Sequence, residues 1–284
     1  MSKPNDPLMN SSEAPSTDIK RRWLAALRRV LGFGAKIAVL SLLISGIAQI
    51  WIHDLSWWKI FRRCVSVSAV LVLWHTHRHH PHPFRSLGLG SWREGRGAFA
   101  KGVLIGLSMM LALIVAYDVL DIVRLEIWTD TARVVRTMTT FAPTACLIGL
   151  LEELTFRGYL LQQLLACSQW FALAVTSALY AVVHVQPTMT WPNSAFELVG
   201  LFLLGWVLGM SVLRTRSLYL AIGLHASLAY FARVNKMWIE FTNPSWVWLV
   251  GSHRIVNGIV GWGSLLLLGW LISRTQPRPQ RLST

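Results

Sequence analysis

Residues 147–165 read LIGLLEELTFRGYLLQQLL. Two adjacent acids, Glu152 and Glu153, and a base, Arg157, stand inside an apolar run with helical character and no Gly–Pro break. In a soluble protein such a trio marks a solvated face. Here the flanks are too apolar for that, so the meaning of the trio depends on whether the chain lies in a membrane.

Composition answers that question. Of 284 residues, 54% are hydrophobic and 14% are charged, and 15 are Trp. This fits a multi-spanning membrane protein and fits a soluble globule poorly. Several apolar runs approach or exceed the ~18 residues that cross a hydrocarbon core of about 30 Å. The net charge is +14. Its bases lie between or outside the apolar runs, so positive-inside topology explains them and nucleic acid is not an expected partner. Cys64, Cys146 and Cys167 sit in or beside apolar runs and suggest neither a disulfide framework nor a CxxC site. No cleavable signal-peptide pattern is visible, and residues 1–22 read as a disordered polar tail.

Eight apolar runs follow, at about 31–52, 57–74, 98–119, 138–165, 169–185, 196–213, 217–232 and 255–273. The fold expected is an all-α polytopic bundle of about eight spans. Lys59, Arg62 and Arg63 crowd the start of the second run, and a seven-span alternative stays open there. Residues 75–97 read as a polar loop and 120–137 as an amphipathic surface helix. Four segments result: the tail (1–22), N-terminal spans (23–137), a core (138–232), and a last span with a basic tail (233–284). With Lys36 and Arg157 set aside as intramembrane, Lys and Arg number 16 on the terminal side and 9 on the other. That excess puts both termini in the cytoplasm, in the cell (inner) membrane. Trp51, Trp57, Trp74, Trp191 and Trp270 fall near run ends, as an aromatic belt does.

An ionised residue at the centre of a membrane helix costs roughly 2.5–3.5 kcal/mol even on the mild insertion scale. The acids and the base therefore compensate each other or are neutralised, and they face protein or water. Glu153 and Arg157 are i and i+4, acid first, the favourable order for a helical ion pair. Glu152 lies ~100° further round the helix and is the acid left over. A lone carboxylate in a low-dielectric site suits a general base. Tyr180 and His184 share a face of the fifth run, and His225 lies in the seventh. A lone intramembrane histidine is more often a structural hydrogen-bonder than a catalyst. Glu152, His184 and His225 together, on three separate runs, can converge on a water or on Zn²⁺ or a similar ion with an open position. They can also activate a water with no metal.

Glu152-Glu153-Leu-Thr-Phe-Arg157 matches the EExxxR motif of the CPBP family, the CAAX prenyl endopeptidases and Abi bacteriocin-processing and immunity proteins. Tyr180-Ala-Val-Val-His184 resembles the second motif of that family, and His225 its third, usually HxxxN. The resemblance covers about 138–232, three motifs in order on successive runs. It implies an intramembrane endopeptidase, with metal dependence open. Glu152 and His184 would activate the hydrolytic water, and His225 would bind a metal or stabilise the oxyanion. Glu153 and Arg157 would support them. The implied substrate is a protein or peptide, in some members lipidated, reached from the membrane lipid. The chain departs from the motif at Ala229, where the family has Asn. Asn235 is more than two turns beyond His225.

Other features carry less. His75, His77, His79, His80 and His82 read as a solvated basic loop rather than a metal site, since Pro81 and Pro83 interrupt them. HExxH is absent, Tyr117-Asp118 has no GxGD partner, and Ser91 lies in a loop. Gly205, Gly209, Gly258, Gly261 and Gly263 read as close-packing positions. Two rivals to the protease remain. One is a non-catalytic scaffold or immunity-type protein, favoured by Ala229. The other is a proton-coupled transporter, disfavoured by the lack of an internal repeat.

Overall fold

The computed structural model describes residues 14–126, 129–187, 189–251 and 254–275, apart from the side chains of 14–18 and 244. Residues 1–13 of the expected tail and 276–284 of the basic tail lie outside them. The chain is helical almost throughout. It runs α1 (Ala14–Trp51), α2 (Trp57–His77), α3 (Trp92–Val119), β1 (Val123–Leu125), α4 (Thr131–Glu153), α5 (Gln169–Val182), α6 (Asn193–Thr215), α7 (Tyr219–Val234), β2 (Ile239–Phe241) and α8 (Ile259–Arg274). α4 continues as a π-helical segment, Leu154–Leu160, and a last α turn, Leu161–Leu164.

The chain is an all-α polytopic helical bundle. Each of the eight apolar runs falls on a helix. Four helical stretches among the described residues are long and apolar enough to cross a membrane: Ile19–Trp51, Trp92–Val119, Thr131–Leu164 and Asn193–Thr215. α5 and α8 are shorter apolar helices. The five run-end tryptophans are all exposed, and the three cysteines are free.

Two compact units divide the chain, and each is described by itself. One comprises 1–72 with 162–172, and the other 73–161 with 173–284. In the first, Trp23 stacks near Phe171 with ring centroids 5.1 Å apart. The Arg29 guanidinium donates to Gln163 Oε1 at 2.6 Å.

The second unit is built around α7. Every residue from Leu218 to Leu228 is buried, as expected of a helix that is apolar all round. Glycines let its neighbours approach. A Cβ at Gly223 would run into the carbonyl of Phe99 on α3, and one at Gly102 would run into the carbonyl of Leu220 on α7. On α4, a Cβ at Gly149 would stand 3.1 Å from Ile222 O and 3.2 Å from the Ala226 amide. That contact holds the end of α4 beside the middle of α7. At the other end of the pair, Val134 packs with Val234 and Met237, so α4 and α7 are antiparallel. Gly205 of α6 meets Ser177 of α5, and Gly261 meets Val256. Gly263, expected to be a packing position, has nothing within 4 Å of its Cβ direction.

The amphipathic helix expected at 120–137 is not what forms. Val123–Leu125 is a strand, paired antiparallel with Ile239–Phe241, and helix begins only at Thr131. Arg124 lies opposite Glu240, a favourable cross-strand pair. Asp130 caps the helix by accepting from the Arg133 amide at 2.9 Å, which fixes the start of α4. The partner strand is more than a hundred residues away, so no local period announces it.

Candidate active site

The acids stand where α4 gives way to the π-helical segment. π turns widen the helix and are frequent at functional sites. Glu153 and Arg157 are both wholly buried. Arg157 Nη1 donates to Glu153 Oε1 at 2.8 Å, and Nη2 donates to the carbonyl of Gly205 on α6 at 3.0 Å. The guanidinium lies 4.7 Å from the Tyr180 ring centroid and 5.7 Å from that of Phe156. A planar fork meeting a carboxylate, a carbonyl and an aromatic face uses properties a lysine lacks. Through these contacts Arg157 ties α4, α5 and α6 together.

Glu153 has a second partner that its spacing did not announce. His225 Nδ1 lies 2.8 Å from the same Oε1. Because that oxygen accepts, Nδ1 carries the proton, and the Nε2 lone pair of a neutral His225 points the other way. Nε2 faces the Tyr180 hydroxyl at 3.3 Å and Glu152 Oε2 at 3.7 Å.

His184 lies just past the end of α5, in a turn closed by its amide donating to Ala181 O at 3.1 Å. It therefore does not share a helical face with Tyr180 as expected. The ring instead folds back, and its Nδ1 donates to the Tyr180 carbonyl at 2.7 Å. That bond again leaves Nε2 as the free nitrogen, 3.9 Å from Glu152 Oε2. α5 has 14 residues and rises about 21 Å, less than a hydrocarbon core of ~30 Å.

Glu152 differs from Glu153 as the helix geometry requires. Its side chain is 28% exposed, against 0% for Glu153. Its Oε2 is buried yet has no hydrogen-bond partner among the described residues. The gaps of 3.7 and 3.9 Å to the two Nε2 atoms are too long for direct hydrogen bonds. Oε2 therefore faces both Nε2 atoms without bonding directly to either. The Nε2 atoms of His184 and His225 thus converge on Glu152 Oε2.

Among the described residues no group of three or more His, Cys, Asp or Glu side chains is placed to hold a metal ion. His225 Nε2 is moreover turned to a tyrosine hydroxyl. As arranged, these side chains do not form a three-donor centre. The His75–His82 stretch forms no such group either.

Ala229 presents only a methyl group, one turn beyond His225. Asn235 lies at the far end of α7, ten residues beyond His225, where its Oδ1 accepts from Trp238 Nε1 at 3.3 Å. Two further charged groups, absent from the sequence-based set, pair with each other. Glu197 of α6 forms an ion pair with Arg254, and Arg254 is within electrostatic reach of His184 and Tyr180. A lone acid at the start of the sixth apolar run was the available signal.

Residues 135–231 match the family described as type II CAAX prenyl endopeptidase, Rce1-like. The match supports a CPBP-type assignment for this segment. It contains all six residues of the cluster, from Glu152 to His225, and the rest of the chain lies outside the match. No curated protein and no solved structure matches the chain. The family is one of membrane proteases, which agrees with apolar spans around a buried carboxylate–histidine group.

Proposed function

We propose that the protein is an intramembrane endopeptidase that cleaves a membrane-associated peptide with a water activated by Glu152. The observation that carries this reading is the convergence of the unpartnered Glu152 Oε2 and the Nε2 atoms of His184 and His225. Glu152 takes a proton from a water held among these atoms, and the water oxygen forms a bond to the scissile carbonyl carbon. Nε2 of His184, kept unprotonated by the bond from Nδ1 to Tyr180 O, accepts the second water proton as a hydrogen bond and orients the water. The developing oxyanion is met by the Tyr180 hydroxyl, which turns from His225 Nε2 to donate to it. When the C–N bond breaks, Glu152 returns its proton to the leaving amine. Glu153 and Arg157 fix the His225 tautomer and the Tyr180 ring.

The peptide substrate approaches from the lipid and, by the family's description, has a prenylated CAAX end. Both termini face the cytoplasm, as the Lys and Arg distribution supports. The test uses a fluorescence-quenched farnesylated peptide ending in a CAAX sequence, with the full chain in proteoliposomes. Cleavage by wild type and its loss in Glu152→Gln, at equal melting temperature, supports the proposal. Equal cleavage by both contradicts it.

Ala229 favours a second reading, a non-catalytic scaffold that keeps the buried cluster for packing. Under it Glu152→Gln changes nothing in function, and only Glu153 or Arg157 variants matter, through stability.

A further inference from the structure

The corner between α2 and α3 carries an unusual density of charge. Arg78, Arg85, Arg93, Arg96 and Lys101 are all exposed, as are His75, His79, His80 and His82. Glu94 is the only acid from 75 to 101. It lies 3.8 Å from Arg85 with both side chains more than half exposed, a pairing that neutralises little. Three aromatic residues are interleaved with these bases. Trp74, Phe84 and Trp92 are 52%, 51% and 56% exposed, and the Trp74 and Phe84 rings stand 6.4 Å apart. Exposed rings among fixed positive charges, at the ends of apolar helices, match a headgroup layer rather than bulk water.

The corner is also built into the core. Gly88 O accepts from the Leu218 amide at 3.0 Å, and Gly90 O accepts from the Tyr219 hydroxyl at 2.8 Å. The Leu87 carbonyl lies 3.0 Å from the Cβ direction of Gly158. The His77 ring meets Tyr159 edge-on at 5.5 Å. The bond to Leu218 also brings exposed Arg216 to the same corner. The basic surface is therefore anchored on the π-helical segment that holds Arg157 and on the first turn of the helix that holds His225.

We propose that this corner docks the phosphate headgroups of anionic phospholipids and that docking steadies the helices of the site. Arg78, Arg85, Arg93 and Arg96 supply the attraction. Trp74, Phe84 and Trp92 set the depth. The inference does not depend on the protease reading, since its readouts are lipid retention and melting.

The test places the full chain in nanodiscs of phosphatidylcholine alone or of equal parts phosphatidylcholine and phosphatidylglycerol. Melting is followed by tryptophan fluorescence, and co-purifying lipid by native mass spectrometry. The wild type melts several degrees higher in the mixed discs and retains phosphatidylglycerol about 10-fold over phosphatidylcholine. High salt reduces the gain. The variant Arg78→Gln/Arg85→Gln/Arg93→Gln/Arg96→Gln melts with wild type in neutral discs, but gains nothing in mixed discs and retains the two lipids at parity. A control, Arg21→Gln/Arg22→Gln/Arg28→Gln/Arg29→Gln, keeps the gain. Equal gain by the corner variant, or equal loss by the control, overturns the proposal. So does inorganic phosphate reproducing the full shift in neutral discs, because the site would then take a free anion rather than lipid.

Discussion

Arg157 is the residue whose removal should cost the fold most per atom. It is buried with Glu153 at 2.8 Å and also donates to Gly205 O. Arg157→Met keeps an apolar stem of similar length but deletes both bonds and leaves Glu153 with His225 alone. Stranding a buried charge costs roughly 3–5 kcal/mol. His225 can take up a proton and offset part of this, so the lower end, about 3 kcal/mol, is expected. Arg157→Lys keeps the charge but cannot reach the carboxylate and the carbonyl together while stacking on Tyr180, and should cost about 1–2 kcal/mol. In Glu153→Gln/Arg157→Met no charge is stranded, so it should recover at least about 1 kcal/mol over Arg157→Met. The assay is reversible unfolding in mixed micelles of dodecyl maltoside and sodium dodecyl sulfate, followed by tryptophan fluorescence. Wild-type stability in Arg157→Met, or a double variant less stable than both singles, refutes the buried-pair reasoning.

Further outcomes follow from individual contacts. Tyr180→Phe keeps the ring under Arg157 and loses only the hydroxyl, so melting should move little while kcat falls about 10- to 100-fold; unchanged turnover removes Tyr180 from the oxyanion role. Gly223→Ala forces a methyl group into the Phe99 carbonyl and should cost at least 1–3 kcal/mol. Gly263→Ala meets open space and should be neutral or stabilising by about 0.4–1 kcal/mol, as paired thermal melts will show. Exhaustive chelation should leave peptide cleavage intact, because the proposed mechanism activates the water with Glu152 and His184 alone; loss restored by one added divalent ion contradicts that mechanism.

Much of this was legible in the sequence because membrane solvent makes its demands locally. An apolar run of sufficient length must be a helix, since lipid satisfies no backbone group, and each of the eight runs is helical over most of its length. Glu153 and Arg157 are one turn apart, so their pairing is a local event too. The parts not legible are nonlocal. Nothing near Val123 shows that Ile239–Phe241 will pair with it. Nothing near Glu153 shows that its carboxylate will also serve His225. The turn that ends α5 before His184 has no Gly or Pro to mark it, and the apolar run continues to Val185. The π-helical segment follows from packing on Gly205, Tyr180 and Leu87, not from any propensity of LTFRGYL.

The central claim is that Glu152 hydrolyses peptide bonds in membrane proteins. Its most direct test compares the N-termini of membrane proteins by mass spectrometry in cells carrying wild type or Glu152→Ala at equal abundance. The account predicts new N-termini with wild type that vanish with Glu152→Ala, and these name the substrates as well. Identical sets of N-termini, with both proteins folded in the membrane, contradict it and leave the scaffold reading in its place.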